Sequence, residues 1–259
     1  MKLVSPALPT ALSPALAAAT PAAPAAPAEA QAGSARQRRK EARPQELLAA
    51  ALDLFVEKGF AATRAEEVAQ RAGVSKGTLY LYYPSKEELF KAVVRNSLSA
   101  LITEGAEIAA RYEGDSSSLL AVLLQTWWER VGNTPAAGIH KIVLSEVRNF
   151  PDLAQFYTDE VINPSHALIC GCVRRGIARG EFRDLPAEEV TTALIAPVIF
   201  MALHRHSFGC CPVSNGVEIE PGAVLNTHLE LALRGLEAPP AARGQKGAPR
   251  RTAGAGPAA

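Results

Sequence analysis

The chain is poor in the features from which most enzymes, membrane proteins and disulfide scaffolds are built. Aromatic residues are 6% of its 259 residues, with two tryptophans and two methionines. Its four cysteines fall as two close pairs, Cys170/Cys172 and Cys210/Cys211. In a chain of this length without an export signal, that usage fits free thiols rather than a disulfide framework. There is no run of eighteen clean apolar residues, so neither a transmembrane helix nor a membrane partner is expected. No alternating strand pattern and no internal repeat occur. G-x-S-x-G, a Walker loop, H-E-x-x-H and a dinucleotide fingerprint are all missing, so no catalytic residue, cofactor or metal site is expected. The acidic pairs Glu87-Glu88 and Glu188-Glu189 sit at helix starts, where the helix dipole already accounts for them.

What the chain does have is alanine, proline and an uneven distribution of charge. Lys2 precedes an alanine-rich stretch, but Pro6, Pro9, Pro14, Pro21, Pro24 and Pro27 interrupt it too often for a signal-peptide helix. Residues 1–35 are expected to be a disordered extension, or the product of an upstream start that translation does not use, and the location cytoplasmic. The net charge of +1 hides a partition: +4 over residues 36–86, −7 over 87–237 and +4 over 238–259. Only the first of these folded segments is suited to meet a polyanion. Residues 237–259 are Pro-, Gly- and Ala-rich and are expected to form a disordered basic tail.

Between these flanks the pattern is helical. Leu47, Leu48, Ala51, Leu54 and Phe55 recur at helical spacing after Pro44, a residue suited to a first helical turn, and Gly59 ends that helix. Thr63 with Glu66 has the spacing of a capping box, and Gly73 is placed to end the next helix with positive φ. Ser75 caps a third helix, Pro84 stops it, and Ser85 with Glu88 repeats the capping signature. The third helix carries Lys76, Thr78, Tyr80 and Tyr82 within two turns, the layout of a recognition helix for the DNA major groove. Val74 and Leu79 are its inward residues. Beyond Ser85, helices are expected at about 86–112, 117–131, 136–149, 152–179, 187–207 and 222–235. Pro164 and Pro197 should kink or interrupt theirs.

The run G-F-A-A-T-R-A-E-E-V-A-Q-R-A-G-V-S-K-G-T-L-Y-L-Y-Y-P-S-K-E-E-L-F resembles the DNA-binding segment of the TetR family of bacterial transcriptional regulators. The resemblance is nearly continuous from Pro44 to Val94 and extends by length and helix count over 95–236. It implies an all-α fold: a homeodomain-like helix-turn-helix domain at 36–85, then a helical ligand-binding and dimerisation domain at 86–236. Carried over position by position, it implies contacts to double-stranded DNA from Lys76, Gly77, Thr78, Tyr80 and Tyr82. It further implies phosphate contacts from Thr63 and Lys86 at the starts of flanking helices. Tyr83 stands where many relatives have phenylalanine or histidine, and still supplies a ring to pack. Leu81 offers no hydrogen bond, which leaves a large share of specificity to DNA shape. The basic run Arg36 to Lys40 is either a minor-groove arm or a solvated stretch.

The same resemblance implies a homodimer through the last two helices, with Val190, Leu194, Val198, Met201, Leu225, Leu229 and Leu233 as candidate contacts. It also implies a pocket for an unidentified small-molecule effector within the central helices. The bulky candidates to line it are Trp127, Trp128, His140, Phe150, Phe156, Tyr157 and Phe200, an apolar set that favours a hydrophobic effector. The resulting expectation is a repressor released from a palindromic operator. Two rival readings stand beside it. One is a helical adaptor that binds only protein. The other is a metal- or oxidant-responsive regulator using His204, His206, Cys210 and Cys211; against it, His204 and His206 point about 200° apart on a helix.

Overall fold

Runs of Ala, Leu, Glu, Gln and Arg dominate the chain, and these straight or small side chains lose little freedom in a helix. In the computed structural model, which describes residues 28–146, 148–207 and 220–239 (side chains from residue 43 on), almost every described segment is helical. The elements are α1 (Ala28–Lys58), α2 (Ala65–Arg71), α3 (Lys76–Tyr82), α4 (Lys86–Val94), α5 (Ala100–Arg111), α6 (Ser116–Trp127), α7 (Gly138–Glu146), α8 (Pro151–Tyr157), α9 (Asn163–Ala178), α10 (Ala187–Ser207) and α11 (Pro221–Leu236). Among the described residues the one β feature is an isolated antiparallel bridge, Phe182 to Glu237.

The chain divides into two units, Met1–Ala42 and Arg43–Ala259. The described part of the first is the opening stretch of α1, which corrects two expectations. The helix begins inside the segment read as a disordered extension, and Pro44 lies within it rather than at its first turn. Alanine, glutamate, glutamine and arginine between 28 and 43 favour helix strongly enough to continue through one missing N–H. Residues 1–27 and the end of the basic tail, 240–259, lie outside the described residues, as do Cys210 and Cys211.

Three wide π-turns, Arg95–Ser99, Trp128–Gly132 and Thr158–Ile162, join α4 to α5, extend α6, and join α8 to α9. The third explains how Pro164 is accommodated near the start of α9. Pro164 cannot donate to the Glu160 carbonyl four residues back, and that oxygen accepts from Ser99 Oγ at 3.2 Å. Arg95 adds an ion pair to Glu160 at 3.0 Å, so two π-turns are tied together. Pro197 does not interrupt α10, which continues through it to Ser207.

Two apolar clusters hold the second unit. One is centred on Phe55, Phe60 and Phe90, packed at centroid distances of 5.3 to 5.7 Å, and includes Leu79, Val93, Leu98, Ile139 and Leu153. The expected boundary at residue 86 therefore runs through a shared core. The other joins α6, α9, α10 and α11 through Leu119, Leu120, Val173, Leu194 and Leu229. α10 is long and apolar enough by composition to cross a membrane, but Thr191, Leu194, Val198, Met201 and Ala202 bury one of its faces in this cluster.

The α9 end is sealed by Gly180 at φ +70°, with Glu181 N donating to Gly176 O at 2.9 Å and Gly180 N to Ile177 O at 3.0 Å. The chain then pairs with the end of α11: Arg183 N donates to Leu236 O and Ala238 N to Glu181 O. Leu236 and Ala238 are buried, so the ordered core reaches past the expected start of the tail at residue 237. A Cβ on Gly176 would clash with the edge of the Phe182 ring, which is itself buried. Gly176→Ala is expected to destabilise by about 2 kcal/mol through overpacking, read as a lowered urea midpoint with unchanged m.

Candidate nucleic-acid interface and buried cleft

The turn between α2 and α3 is built from backbone bonds that glycine makes possible. Gly73 sits at φ +66°, Val74 N donates to Ala69 O at 2.9 Å and Gly73 N to Gln70 O at 3.1 Å. That double closure satisfies the last carbonyls of α2 and reverses the chain within two residues. Ser75 Oγ then accepts from Thr78 N at 3.1 Å, as a cap should. Leu79 is fully buried and Val74 packs partly on the same core, fixing the face that α3 turns outward. Ser85 caps α4 by accepting from Glu88 N at 3.1 Å. The Glu88 side chain does not close the expected box; it takes Lys91 Nζ at 2.8 Å.

The outward face carries Lys76, Gly77, Tyr80 and Leu81, all exposed. Leu81, at 83% exposed, is the most open large apolar side chain there, suited to contact a thymine methyl. With no hydrogen-bonding group, it carries no signature of a contact residue in the sequence. Thr78 is half-buried and its hydroxyl bonds Ser75 Oγ at 2.9 Å. Tyr82, expected to contact phosphate or a base edge, is half-buried, its ring packing partly on the core. Lys76 forms an ion pair with Glu66, which keeps that carboxyl below its usual range, and lies 5.7 Å over the Tyr80 ring. A phosphate at Lys76 competes with Glu66 for the ammonium. Glu66→Gln is therefore expected to raise affinity for a random duplex by about two- to fivefold, the scale of a surface pair, measured by fluorescence anisotropy.

Two flanking residues serve the scaffold. Thr63 is 2% exposed and its hydroxyl points to Gly59 O at 2.7 Å and Leu54 O at 3.1 Å. It neither caps α2 nor presents its side chain to solvent, a correction to both roles. The cap position is Arg64, whose N–H donates to Glu67 Oε2 at 3.3 Å, because α2 starts one residue later than the Thr63/Glu66 spacing suggests. Lys86 Nζ donates to Phe60 O at 2.9 Å and Ala61 O at 3.1 Å, with the Phe60 ring 4.6 Å away. It clamps α4 to the α1–α2 turn.

Farther along, α5, α6, α7, α9 and α10 enclose a cleft of about 830 Å³, including the solvent at its mouth. Its wall is almost wholly aliphatic, from residues such as Leu98, Leu101, Ile102, Leu168 and Ile195, and holds no charged side chain. Of the seven residues expected to line a pocket, Trp127 and His140 do. Tyr157 stands behind His140, with its hydroxyl on Nδ1. Trp128 faces the α10–α11 core. Phe150 packs on Phe60 at 4.8 Å, and Phe156 lies under the Arg95 guanidinium at 4.9 Å, both at the α4–α8 contact. Phe200 is 61% exposed on the opposite face of α10. Aliphatic stripes read as ordinary core, which is why the true lining was missed.

Most residues expected at a dimer contact are committed within this chain. Leu194, Val198, Met201, Leu225 and Leu229 are buried in the chain's own core, with Val198 reaching the cleft, while Val190 and Leu233 pack partly on that core. The exposed large apolar groups on these helices are Phe200 and Leu231, the latter 69% open. Cys170 and Cys172 are buried free thiols, and burial pushes the Cys172 thiol up to about 11. Among the described residues no group of His, Cys, Asp and Glu is arranged to hold a metal.

A capped tri-helical unit presenting a short outward helix, joined through a shared core to a larger helical body, defines a helix-turn-helix DNA-binding transcriptional regulator. Residues 47–93 match the model of bacterial regulatory proteins of the tetR family, and 113–208 the tetracyclin repressor-like C-terminal domain. The chain belongs to the TetR family. It is 27% identical over 201 residues to the transcriptional repressor KstR2 of Rhodococcus jostii, covering 77% of this chain and 94% of that protein. Its resemblance to the regulator RutR of Escherichia coli is 49% over 63 residues, 24% of this chain and 30% of RutR. Among solved structures, the ketosteroid regulator KstR2 of Mycobacterium tuberculosis superposes with TM-score 0.59 at 22% identity, covering 76% of this chain and 96% of that one. Bacillus subtilis FadR in complex with stearoyl-CoA gives 0.58 at 18%, covering 74% and 98%. These two share the fold.

Proposed function

We propose that the chain is a homodimeric repressor whose hold on an operator is released by a small apolar effector in the α5–α10 cleft. The observation that carries this is one continuous helical rod. From Lys86 to Arg111 it buries Leu89, Phe90, Val93 and Val94 in the core shared with the recognition unit. Its next turns then present Leu98, Leu101 and Ile102 to the cleft. Filling the cleft displaces this rod and the helix-turn-helix packed on it, favouring a spacing of two recognition helices that no longer fits successive major grooves. The repressor name of the Rhodococcus relative supports the direction of control.

The partner copy docks on the outer faces of α10 and α11, where Phe200 and Leu231 stand open with Ala193, Ala196 and Thr227 beside them. Large apolar side chains among small ones suit close helix packing. The protein acts in the cytoplasm, where its operator is.

Ile102→Trp, which occupies the cleft without any effector, tests the coupling. Operator affinity is expected to drop about tenfold or more, the factor typical of coupled sites; unchanged affinity in a folded variant contradicts the release mechanism. Phe200→Arg is expected to give monomers by sedimentation velocity and to weaken operator binding by at least about tenfold, since two half-sites no longer bind as one.

A further inference from the structure

In a cleft walled by hydrocarbon, one polar atom stands without a partner. His140 is 7% exposed, and its Nε2 is buried and makes no hydrogen bond. Its other ring nitrogen, Nδ1, meets the Tyr157 hydroxyl. His140 is itself one of the residues lining the cleft, whereas Tyr157 is not. A buried donor or acceptor left unsatisfied is costly, which makes this atom the place where a ligand gains most from a single polar group.

The chemistry of the pair sets which polar group. Tyr157 is 5% exposed, and burial pushes its phenol well above its usual range, so the hydroxyl keeps its hydrogen. Among the described residues Nδ1 is the acceptor available to that hydrogen. With Tyr157 donating to Nδ1, the ring proton resides on Nε2, and Nε2–H is an unpaired donor on a residue of the cleft wall. Burial keeps the ring neutral, with His206 adding to it, and the Trp127 ring lies tilted at 5.6 Å. With no Lys or Arg in the wall, a ligand anion would be buried without a counter-charge.

We infer that the effector is neutral at its buried end and carries a carbonyl oxygen that accepts a hydrogen bond from His140 Nε2, the rest of that end being hydrocarbon. The inference deepens the proposed function and rests on the cleft being the effector site. Thr126 and Ser165 are the remaining polar side chains of the wall, and Ser165 Oγ already donates to Ile162 O at 3.0 Å. Tyr157 is thus a positioning residue, choosing the tautomer that reads the ligand.

The test uses the full chain and three probes of one shape: phenylcyclohexane, 4-phenylcyclohexanone and 4-phenylcyclohexanol. Calorimetry is expected to show the ketone binding about tenfold tighter than the hydrocarbon, the worth of one buried hydrogen bond. His140→Phe is expected to erase that preference while still binding all three. Tyr157→Phe frees the tautomer, and the ketone's lead over the alcohol is expected to vanish or reverse. Nitrogen-15 NMR of the unliganded protein, which needs no variant, should show His140 protonated at Nε2. A proton on Nδ1, or three probes bound equally by the wild type, overturns the carbonyl assignment and leaves the cleft as effector site. Binding of none of them overturns both.

Discussion

Replacing Lys76 and Tyr80 together by alanine is expected to lower operator affinity by about a hundredfold or more, given what a phosphate contact and a base-edge contact are each worth. Circular dichroism and the unfolding midpoint should barely change. Both side chains stand on the outer face of α3 and are exposed, while the residue that secures the helix, Leu79, lies on the inner one. The pairing matters. The sequence favoured Tyr82 over Tyr80 as a contact, but the Tyr82 ring is partly committed to the core, so its removal mixes folding with binding. Loss of Lys76 is expected to show mainly as lost salt-dependent affinity. Losing Tyr80 also removes the ring over which that ammonium rests. Affinity by anisotropy, beside thermal unfolding of the same samples, separates the two effects.

Acidification is the second large effect. Burial, with the nearby His206 adding to it, holds His140 down to about 4 from its ordinary 6.5. A histidine depressed in the folded state binds its proton more readily when unfolded. The unfolded chain therefore takes up more protons between those two values, and stability falls as pH falls through that window. The loss amounts to about 2 kcal/mol by pH 5 and about 3 kcal/mol by pH 4 at 1.36 kcal/mol per pKa unit. His206, also lowered chiefly by burial, acts in the same direction. Urea unfolding at pH 7, 6 and 5 should show the decline, and His140→Leu should flatten most of it. A wild-type stability that is level from pH 7 to 5 would mean that the ring is solvated, and would remove the dry donor on which ligand reading depends.

The sequence announced its helix ends better than its helix faces. Gly59 and Gly73, both at positive φ, stand where the apolar period breaks, and Ser75 and Ser85 cap as their spacing indicates. These are local devices, decided by a few consecutive residues. Thr63 misled because a Thr-x-x-Glu spacing one residue out of register still resembles a cap, whereas its hydroxyl is consumed by carbonyls of α1 and the turn after it. The three π-turns left no trace, since one extra residue in a wide turn hardly disturbs an apolar stripe. Which stripe meets what was harder still. Phe200 and Leu194 lie on one helix with similar hydrophobicity, yet one is open and the other 2% exposed. Only the placement of α9 and α11 separates them. The cleft escaped for the same reason: its isoleucines and leucines are indistinguishable in sequence from those that fill a core.

The recognition unit as a reader of duplex DNA is the claim on which everything else depends, and the salt dependence of binding tests it most directly. With the operator in hand, or a random duplex before it is known, log K should fall steeply and linearly against log salt. A dimer meeting several phosphates predicts a slope of about −5 or steeper, with a short palindrome protected in a footprint. A slope near zero, with no protected site, would contradict the account.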